Sequence, residues 1–73
     1  MHTLEQLRRG ELKGIKRLQL SESLADFPEE IYQLADSLEV LDLSNNRLRD
    51  LPSDLTRLKH LKIFFASNNL FEH

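Results

Sequence analysis

Apolar residues recur along this chain at fixed spacing, and the spacing is clearest between Leu38 and Pro52. This stretch reads L-x-x-L-x-L-x-x-N-x-L-x-x-L-P, where x stands for any residue. Leu41 and Leu43 are two residues apart, which is the period of a β-strand with one buried face. The pattern therefore predicts a short strand here, with its leucines in the core.

The residues after this strand suit a turn that leads back to the core. Asn46 stands where the strand ends, and its amide can bond backbone groups that a turn leaves unpaired. Asn45, beside it, is expected to face solvent. Leu48 and Leu51 are predicted to return the chain to the core. Pro52 then begins a helical segment, where its missing N–H costs little.

The same pattern occurs in two further copies. The positions 23 residues downstream hold a matching set: Leu61, Phe64, Ala66, Asn69 and Phe71. A weaker upstream copy holds another: Ile15, Leu18, Leu20, Leu24, Phe27, Pro28, Ile31 and Leu34. This copy is one residue shorter before Leu24, and Ser23 stands in the place of Asn46. A serine makes only part of an asparagine's hydrogen bonds, so we expect a looser first turn.

A repeat of this kind resembles the leucine-rich repeat family, and the resemblance covers nearly the whole chain from Gly14. The short period and the L-P step look like the intracellular, plant- and bacterial-style subclass. Residues 4–7, 10–12 and 38–44 also resemble the N-terminal repeats of bacterial proteins that carry a protein-kinase-like domain after the repeats. The family implies a curved solenoid that binds other proteins.

The expected fold is an α/β, right-handed leucine-rich-repeat solenoid with a short parallel sheet on its concave side and short helices on its convex side. Convex helices should begin at Pro28 and Pro52. The strands are predicted near residues 16–20, 39–43 and 62–66.

An N-terminal helical cap is expected before the first repeat. Thr3 and Gln6 have the spacing of a capping box, and Leu4 and Leu7 would lie on one side of the short helix. Gly10 can end this helix. The single domain, residues 1–73, then divides into a cap and three repeats, the last of them truncated: residues 3–13, 14–37, 38–60 and 61–73.

Length, charge and composition limit the possible functions. With 73 residues the chain is one small domain, near the lower limit for an independent core. Its formal charge of −2, with acids and bases interspersed, argues against nucleic acid or a membrane as partner. The absence of cysteine, of a long apolar run and of a signal-peptide pattern favours a cytoplasmic location.

Catalytic and cofactor-binding patterns are missing from the sequence. His2, His60 and His73 lack metal-ligand spacing, which predicts solvated surface histidines and no metal site. Gly10 and Gly14 form no phosphate-binding loop, and the catalytic motifs of protein kinases are absent. We therefore expect no catalytic residue and no cofactor in this chain.

The residues between the core positions of each strand should point outward on the concave face, stacked in columns by the period. Six of them are the candidate partner-binding residues: Arg17, Gln19, Val40, Asp42, Ile63 and Phe65. Three are apolar and lie beside charged residues, which is the usual anatomy of an interface centre. Ordinary strand propensity explains the same three apolar residues equally well.

Three residues are predicted to have structural roles in the turns: Asn46, Asn69 and Ser23. Buried amides can also polarise a substrate. The stacking of equivalent positions favours a structural ladder instead, in which each side chain ties down backbone groups.

Three alternative functions are compatible with the sequence. The first is a non-catalytic module that binds a protein ligand on the concave face. The second is a regulatory or substrate-recruiting region of a serine/threonine protein-kinase-like enzyme. The third is a shortened piece made for studies of folding or assembly.

The C-terminal end predicts self-association. After Glu72 and His73 the next L-P pair is expected, and its absence predicts a fragment of a longer solenoid. An open face would then carry apolar side chains: Leu61, Phe64, Ala66, Leu70 and Phe71. Because burying one large apolar side chain is worth ~1.5–3 kcal/mol, we expect two copies to pair through this open end.

Overall fold

The computed structural model describes residues 1–72, and three short strands form one parallel sheet. In the order β1-β2-β3 they are Arg17–Gln19, Val40–Asp42 and Ile63–Phe65. The register pairs Arg17 with Val40 and Val40 with Ile63, so each step matches the repeat period of the sequence. The predicted parallel sheet is confirmed, although each strand is shorter than expected.

A short α-helix, α1 at Leu4–Arg8, precedes the sheet. The Thr3 hydroxyl accepts a hydrogen bond from the Gln6 N–H, and the Gln6 side chain accepts one from the Thr3 N–H. These two bonds make the capping box that the sequence indicates. Leu7 is buried in the core, and Gly10 follows the helix with a φ of 75°, a left-handed conformation that glycine adopts at little cost.

The first convex segment is a 3₁₀ helix, Glu29–Leu34, for which Pro28 is the N-cap residue. Its inward side chains, Ile31 and Leu34, are buried as expected. The predicted start at Pro28 is therefore correct to within one residue. The helix is of the tighter 3₁₀ type, which is common in short connectors.

The second convex segment begins later than predicted. It covers only Leu55–Arg57, so the expected start at Pro52 is wrong. The Asp54 carboxylate accepts a hydrogen bond of 2.6 Å from the Tyr32 hydroxyl of the preceding repeat. The first helical bond of this segment runs from the Arg57 N–H to the Asp54 carbonyl oxygen, at 2.9 Å, and residues 53 and 54 form a turn before it.

The core lies between the sheet and the convex segments. Leucines of the first two repeats are completely or almost completely buried: Leu18, Leu20, Leu34, Leu38, Leu41, Leu43 and Leu48. The equivalent side chains of the third repeat are only half-buried: Leu61, Phe64, Ala66 and Phe71. The packing therefore weakens from the second repeat to the third.

Leu51 does not return to the core as predicted, because its side chain is 42% exposed. Its counterpart one repeat earlier, Phe27, is half-buried and packs against the Tyr32 ring with centroids 5.6 Å apart. The residue equivalent to Tyr32 in the second repeat is the exposed Thr56. Leu51 therefore lacks the aromatic ring that shelters Phe27.

The repeat boundaries at residues 14, 38 and 61 stay predictions, as do the handedness of the solenoid and the role of α1 as its cap. The last position of the predicted third repeat, His73, lies outside the described residues.

Candidate functional site

The sheet brings the six candidate residues together on one face. Strand pairing places them in two rows: Arg17, Val40 and Ile63, then Gln19, Asp42 and Phe65. The middle residue of each strand packs into the core. Because successive side chains of a strand point to opposite faces, the six candidates share the other, open face of the sheet.

Three of these residues, Val40, Ile63 and Phe65, form an apolar patch. Ile63 is 48% exposed, Phe65 is 47% exposed and Val40 is half-buried. Val40 and Ile63 are register partners on neighbouring strands, and Phe65 is two residues beyond Ile63 on the same face. A contiguous group of exposed apolar side chains with a polar rim is typical of a binding surface.

The polar residues around the apolar patch differ in the hydrogen bonds that they form. One carboxylate oxygen of Asp42 accepts a 2.9 Å hydrogen bond from the Ser44 N–H, and the other accepts a 3.4 Å bond from the Gln19 side-chain amide. The exposed guanidinium of Arg17 forms neither a side-chain hydrogen bond nor an ion pair within the described part of the chain. Of the two charged candidates, Arg17 is therefore the one without a side-chain hydrogen-bond partner in residues 1–72, whereas Asp42 has two.

His2 belongs to this face, although the sequence predicted only a solvated surface histidine. Its backbone pairs in parallel with Leu20 beside β1, and its N–H donates to the Gln19 carbonyl oxygen at 3.0 Å. Its Nδ1 accepts a 3.2 Å bond from the Gln19 N–H. No periodic signal could have revealed this, since a single residue pairs here.

A groove of about 330 Å³ runs over the open face, lined by His2 together with most of the candidate residues. Arg17, Gln19 and Asp42 supply its polar walls, and Val40 and Phe65 supply apolar walls. The groove is an open surface depression, which suits an extended segment better than a small enclosed ligand.

Asn46 is buried and uses its whole amide on backbone groups. Its side-chain oxygen accepts bonds from the N–H groups of Glu22 and Leu24, at 3.0 and 3.1 Å. Its nitrogen donates to the carbonyl oxygens of Leu20 and Leu43, both at 2.9 Å. The side chain thus joins its own turn to the turn of the preceding repeat, and no polar atom is left for a substrate.

Asn69 makes the same kind of contacts one repeat later. Its oxygen accepts a 2.9 Å bond from the Leu48 N–H, and its nitrogen donates to the carbonyl oxygens of Leu43 and Ala66, both at 3.0 Å. Asn69 is half-buried, whereas Asn46 is 6% exposed. The two amides form a ladder that links successive turns.

Ser23 lies elsewhere than expected. It is exposed and has a φ of 55°, which matches Asn45 at 63° and Asn68 at 55° and not the buried Asn46. The first repeat is one residue shorter before Leu24, and this moves Ser23 out of the buried position. The side-chain amide of Asn46, in the next repeat, forms the hydrogen bonds to the first turn instead.

The groups with shifted pKa values are outside the six candidate residues of the open face. The Arg8 Nε donates to Glu30 at 2.8 Å, and this bond raises the pKa of Arg8 and lowers that of Glu30. Burial raises the pKa of Tyr32 to about 12, and its hydrogen bond to Asp54 adds to the effect. That bond, with a second from Arg57, holds the pKa of Asp54 below its usual value.

Tyr32, Asp54 and Arg57 therefore join the first and second repeats on the convex side, and we call this contact the clasp. Arg57 stacks over the Tyr32 ring, 3.9 Å from its centroid, and its guanidinium lies 3.1 Å from the Asp54 carboxylate. All three side chains are used on one another, which fits a structural role.

Within residues 1–72, no group of three or more His, Cys, Asp or Glu side chains lies close enough to hold a metal ion. In the same part of the chain, no helix combines the length and apolar character that crossing a membrane requires.

Comparison with known proteins gives one family. A family model described as leucine-rich repeats in two copies matches residues 36–72. Chaoptin of Tribolium castaneum is 41% identical over 54 residues, which cover 73% of this chain and 7% of chaoptin. Leucine-rich repeat and WD repeat-containing protein 1 of Xenopus laevis is 40% identical over 63 residues, 81% of this chain and 9% of that protein.

A plant protein is also similar. Plant intracellular Ras-group-related LRR protein 7 of Oryza sativa subsp. japonica is 33% identical over 45 residues, 62% of this chain and 17% of that protein. The chain therefore spans less than a fifth of the length of each of these relatives. No solved structure gives a significant match.

Proposed function

The chain belongs to the leucine-rich repeat family, and from this premise we propose that it binds a protein ligand on the concave face of its solenoid. Leucine-rich repeats are generally non-catalytic binding modules. The observation that carries the proposal is the apolar patch of Val40, Ile63 and Phe65, which lies on the open face and is not needed to fill the core.

Strand propensity alone would also put apolar residues in these positions, but two observations favour binding. The side chains are contiguous across β2 and β3, and roughly half of the Ile63 and Phe65 surfaces is in contact with water. An aromatic side chain surrounded by polar neighbours is the kind of residue that dominates binding energy at protein interfaces.

The test is a pull-down with the whole chain as bait, comparing the native protein with Phe65→Ala. Leu51→Ala is the matched control, because Leu51 is 42% exposed and lies outside the strands; Lys59→Ala is a control on the convex side. Truncating an aromatic anchor typically costs at least ~2 kcal/mol of binding, so Phe65→Ala should lose its partner while both controls keep theirs. An unchanged set of partners with Phe65→Ala would reject the site.

The proposal includes the rest of the predicted architecture. The solenoid is right-handed, as crossovers between parallel strands are in ~98% of cases, and α1 covers the open side of the first repeat. The pairing of His2 with Leu20 supports this cap, because His2 lies beside β1 on the side away from β2, and Leu7 of α1 is buried in the core.

Self-association is a second proposal, and the half-buried apolar layer of the third repeat favours it. The layer consists of Leu61, Phe64, Ala66 and Phe71, with Leu70 exposed beside it. Two copies that pair through this layer would remove it from water. Light scattering over a concentration series should show a dimer; a monomer at every concentration would reject this proposal.

The resemblance to bacterial proteins with a kinase-like domain supports a third proposal. In it, the repeats recruit a substrate or regulator for a kinase-like domain of the same protein. It rests only on the likeness of residues 4–7, 10–12 and 38–44 to such bacterial proteins. Sequence beyond His73 tests it, since a glycine-rich kinase loop would support it and repeats without one would reject it. A fragment of a longer protein and a cytoplasmic location stay predictions of the sequence.

A further inference from the structure

The two charged residues that line the groove on the open face, Arg17 and Asp42, differ in their hydrogen bonding. Both carboxylate oxygens of Asp42 already accept hydrogen bonds, one from Ser44 and one from Gln19. Arg17, which lines the same groove, has no ion-pair partner in the described part of the chain. A partner that brings a negative group therefore finds a guanidinium with no partner of its own, while the half-buried Asp42 carboxylate keeps its charge and already accepts two hydrogen bonds.

His2 adds a second donor at the same end of the groove. Its Nδ1 accepts the hydrogen bond from the Gln19 N–H, so the neutral imidazole carries its proton on Nε2. The backbone bonds of His2 to the Gln19 and Leu20 region hold the residue against β1. The Nε2–H group forms no hydrogen bond with any residue that the structure describes, and His2 lines the groove with Arg17.

The apolar walls of the groove lie on the next strand and on the strand after it. Val40 is the register partner of Arg17 on the neighbouring strand, and Phe65 is the register partner of Asp42. The β1 side of the groove thus offers hydrogen-bond donors and a positive charge, and the side formed by β2 and β3 offers apolar surface together with the Asp42 carboxylate.

We propose that the groove selects a protein segment that carries a carboxylate next to an apolar side chain. The apolar side chain packs on Val40 and Phe65, and the carboxylate accepts hydrogen bonds from Arg17 and His2. This inference rests on the proposed function and adds the chemistry of the partner. It also makes His2 a specificity-determining residue.

The test uses nuclear magnetic resonance titrations of the ¹⁵N-labelled chain, which measure weak binding and locate it by residue. The probes are three blocked tripeptides with leucine at both ends and glutamate, glutamine or lysine in the middle. An exposed ion pair is worth a few tenths to one kcal/mol, so the glutamate peptide should bind about two- to fivefold more tightly than the glutamine peptide. The lysine peptide should bind most weakly.

Three variants separate this inference from the proposed function. Arg17→Gln and His2→Ala should each reduce the advantage of glutamate over glutamine while leaving the glutamine peptide's affinity almost unchanged. Phe65→Ala should weaken all three peptides. Thermal melting of each variant verifies that the sheet is still folded.

The outcomes are distinguishable. If Phe65→Ala leaves all three affinities unchanged, the apolar patch is not the site and the proposed function fails. If Phe65→Ala weakens binding but glutamate has no advantage, or lysine binds more tightly, only the carboxylate inference is overturned. Absence of amide shifts with all three peptides also overturns it.

Discussion

The second and third repeats carry the same apolar positions, but they bury them to different extents. Leu38, Leu41, Leu43 and Leu48 are fully buried, whereas their counterparts are half-buried: Leu61, Phe64, Ala66 and Phe71. The second repeat has β1 on one side and β3 on the other. In a solenoid, therefore, the burial of core side chains depends more on the neighbouring repeats on both sides than on the amino-acid sequence of one repeat.

The turn asparagines show the same difference. Asn46 receives two backbone N–H groups of the first repeat, while Asn69 receives one from the second. Asn46 is buried and Asn69 is half-buried. The same motif thus stabilises the two repeats unequally. Four substitutions, two in the strands and two in the turns, measure the difference.

The largest difference should appear between Leu41→Ala and Phe64→Ala, which are register partners in β2 and β3. Leu41→Ala should lower the free energy of unfolding by about 3–5 kcal/mol, because it leaves a cavity in a closed core. Phe64→Ala should cost less, about 1–2 kcal/mol, since its ring is only half-buried. Urea denaturation measures both. A larger loss for Phe64→Ala would contradict the comparison.

The turn asparagines should give the next largest effect. Asn46→Ala should cost about 1–3 kcal/mol for each backbone group left unpaired, and more than Asn69→Ala. Asn45→Gly is the control, because Asn45 has a φ of 63° where alanine would add strain of its own. Similar urea midpoints for Asn46→Ala and Asn45→Gly would argue against the ladder.

The clasp of Tyr32 with Asp54 joins the first two repeats only, since Thr56 stands in the equivalent place later. Tyr32 is the single tyrosine, so ultraviolet absorbance of the phenolate reports its pKa directly. The titration midpoint should be about 12 in the folded chain, compared with 10.0 for the ordinary group. A folded-state midpoint close to 10.0 would show that the clasp does not form.

The same shift predicts how stability depends on pH. Because folding raises the pKa of Tyr32, the clasp contributes fully below about pH 10 and its contribution is lost as the pH rises toward about 12. The unfolding midpoint of the native chain should therefore fall across this range more steeply than that of Tyr32→Phe.

The smallest effect is expected for the surface pair of Arg8 and Glu30. Arg8→Ala should change the melting temperature least of these variants, because Arg8 is exposed and salt screens the pair. The pKa of Glu30 is lowered by Arg8, so any contribution is present above the ordinary value and is lost as the pH falls below it. Melting in low and high salt, with Arg8→Lys as the control, measures it.

The sequence alone predicts the parallel strands, their register and the six candidate residues on one face. The repeat length sets the register, and the alternation along each strand sets the face of the sheet to which each side chain points. It does not predict His2, since that residue pairs once with a strand far along the chain. It places Leu51 in the core wrongly, because burial there depends on an aromatic neighbour in another segment. It places the start of the second convex helix too early: Ser53 and Asp54 form a turn before the helix, and the Asp54 side chain bonds Tyr32 of the previous repeat.

Adjacent residues of β3 test the central claim most directly, namely that one face of the sheet stabilises the fold and the other binds. Phe64 packs toward the core, and Phe65 is 47% exposed on the open face. The measurement is the affinity for a partner identified by pull-down, made with Phe64→Ala and Phe65→Ala well below their melting temperatures. Our account predicts that Phe65→Ala loses at least ~2 kcal/mol of binding while Phe64→Ala binds like the native chain. Equal losses of affinity in the two variants would contradict it.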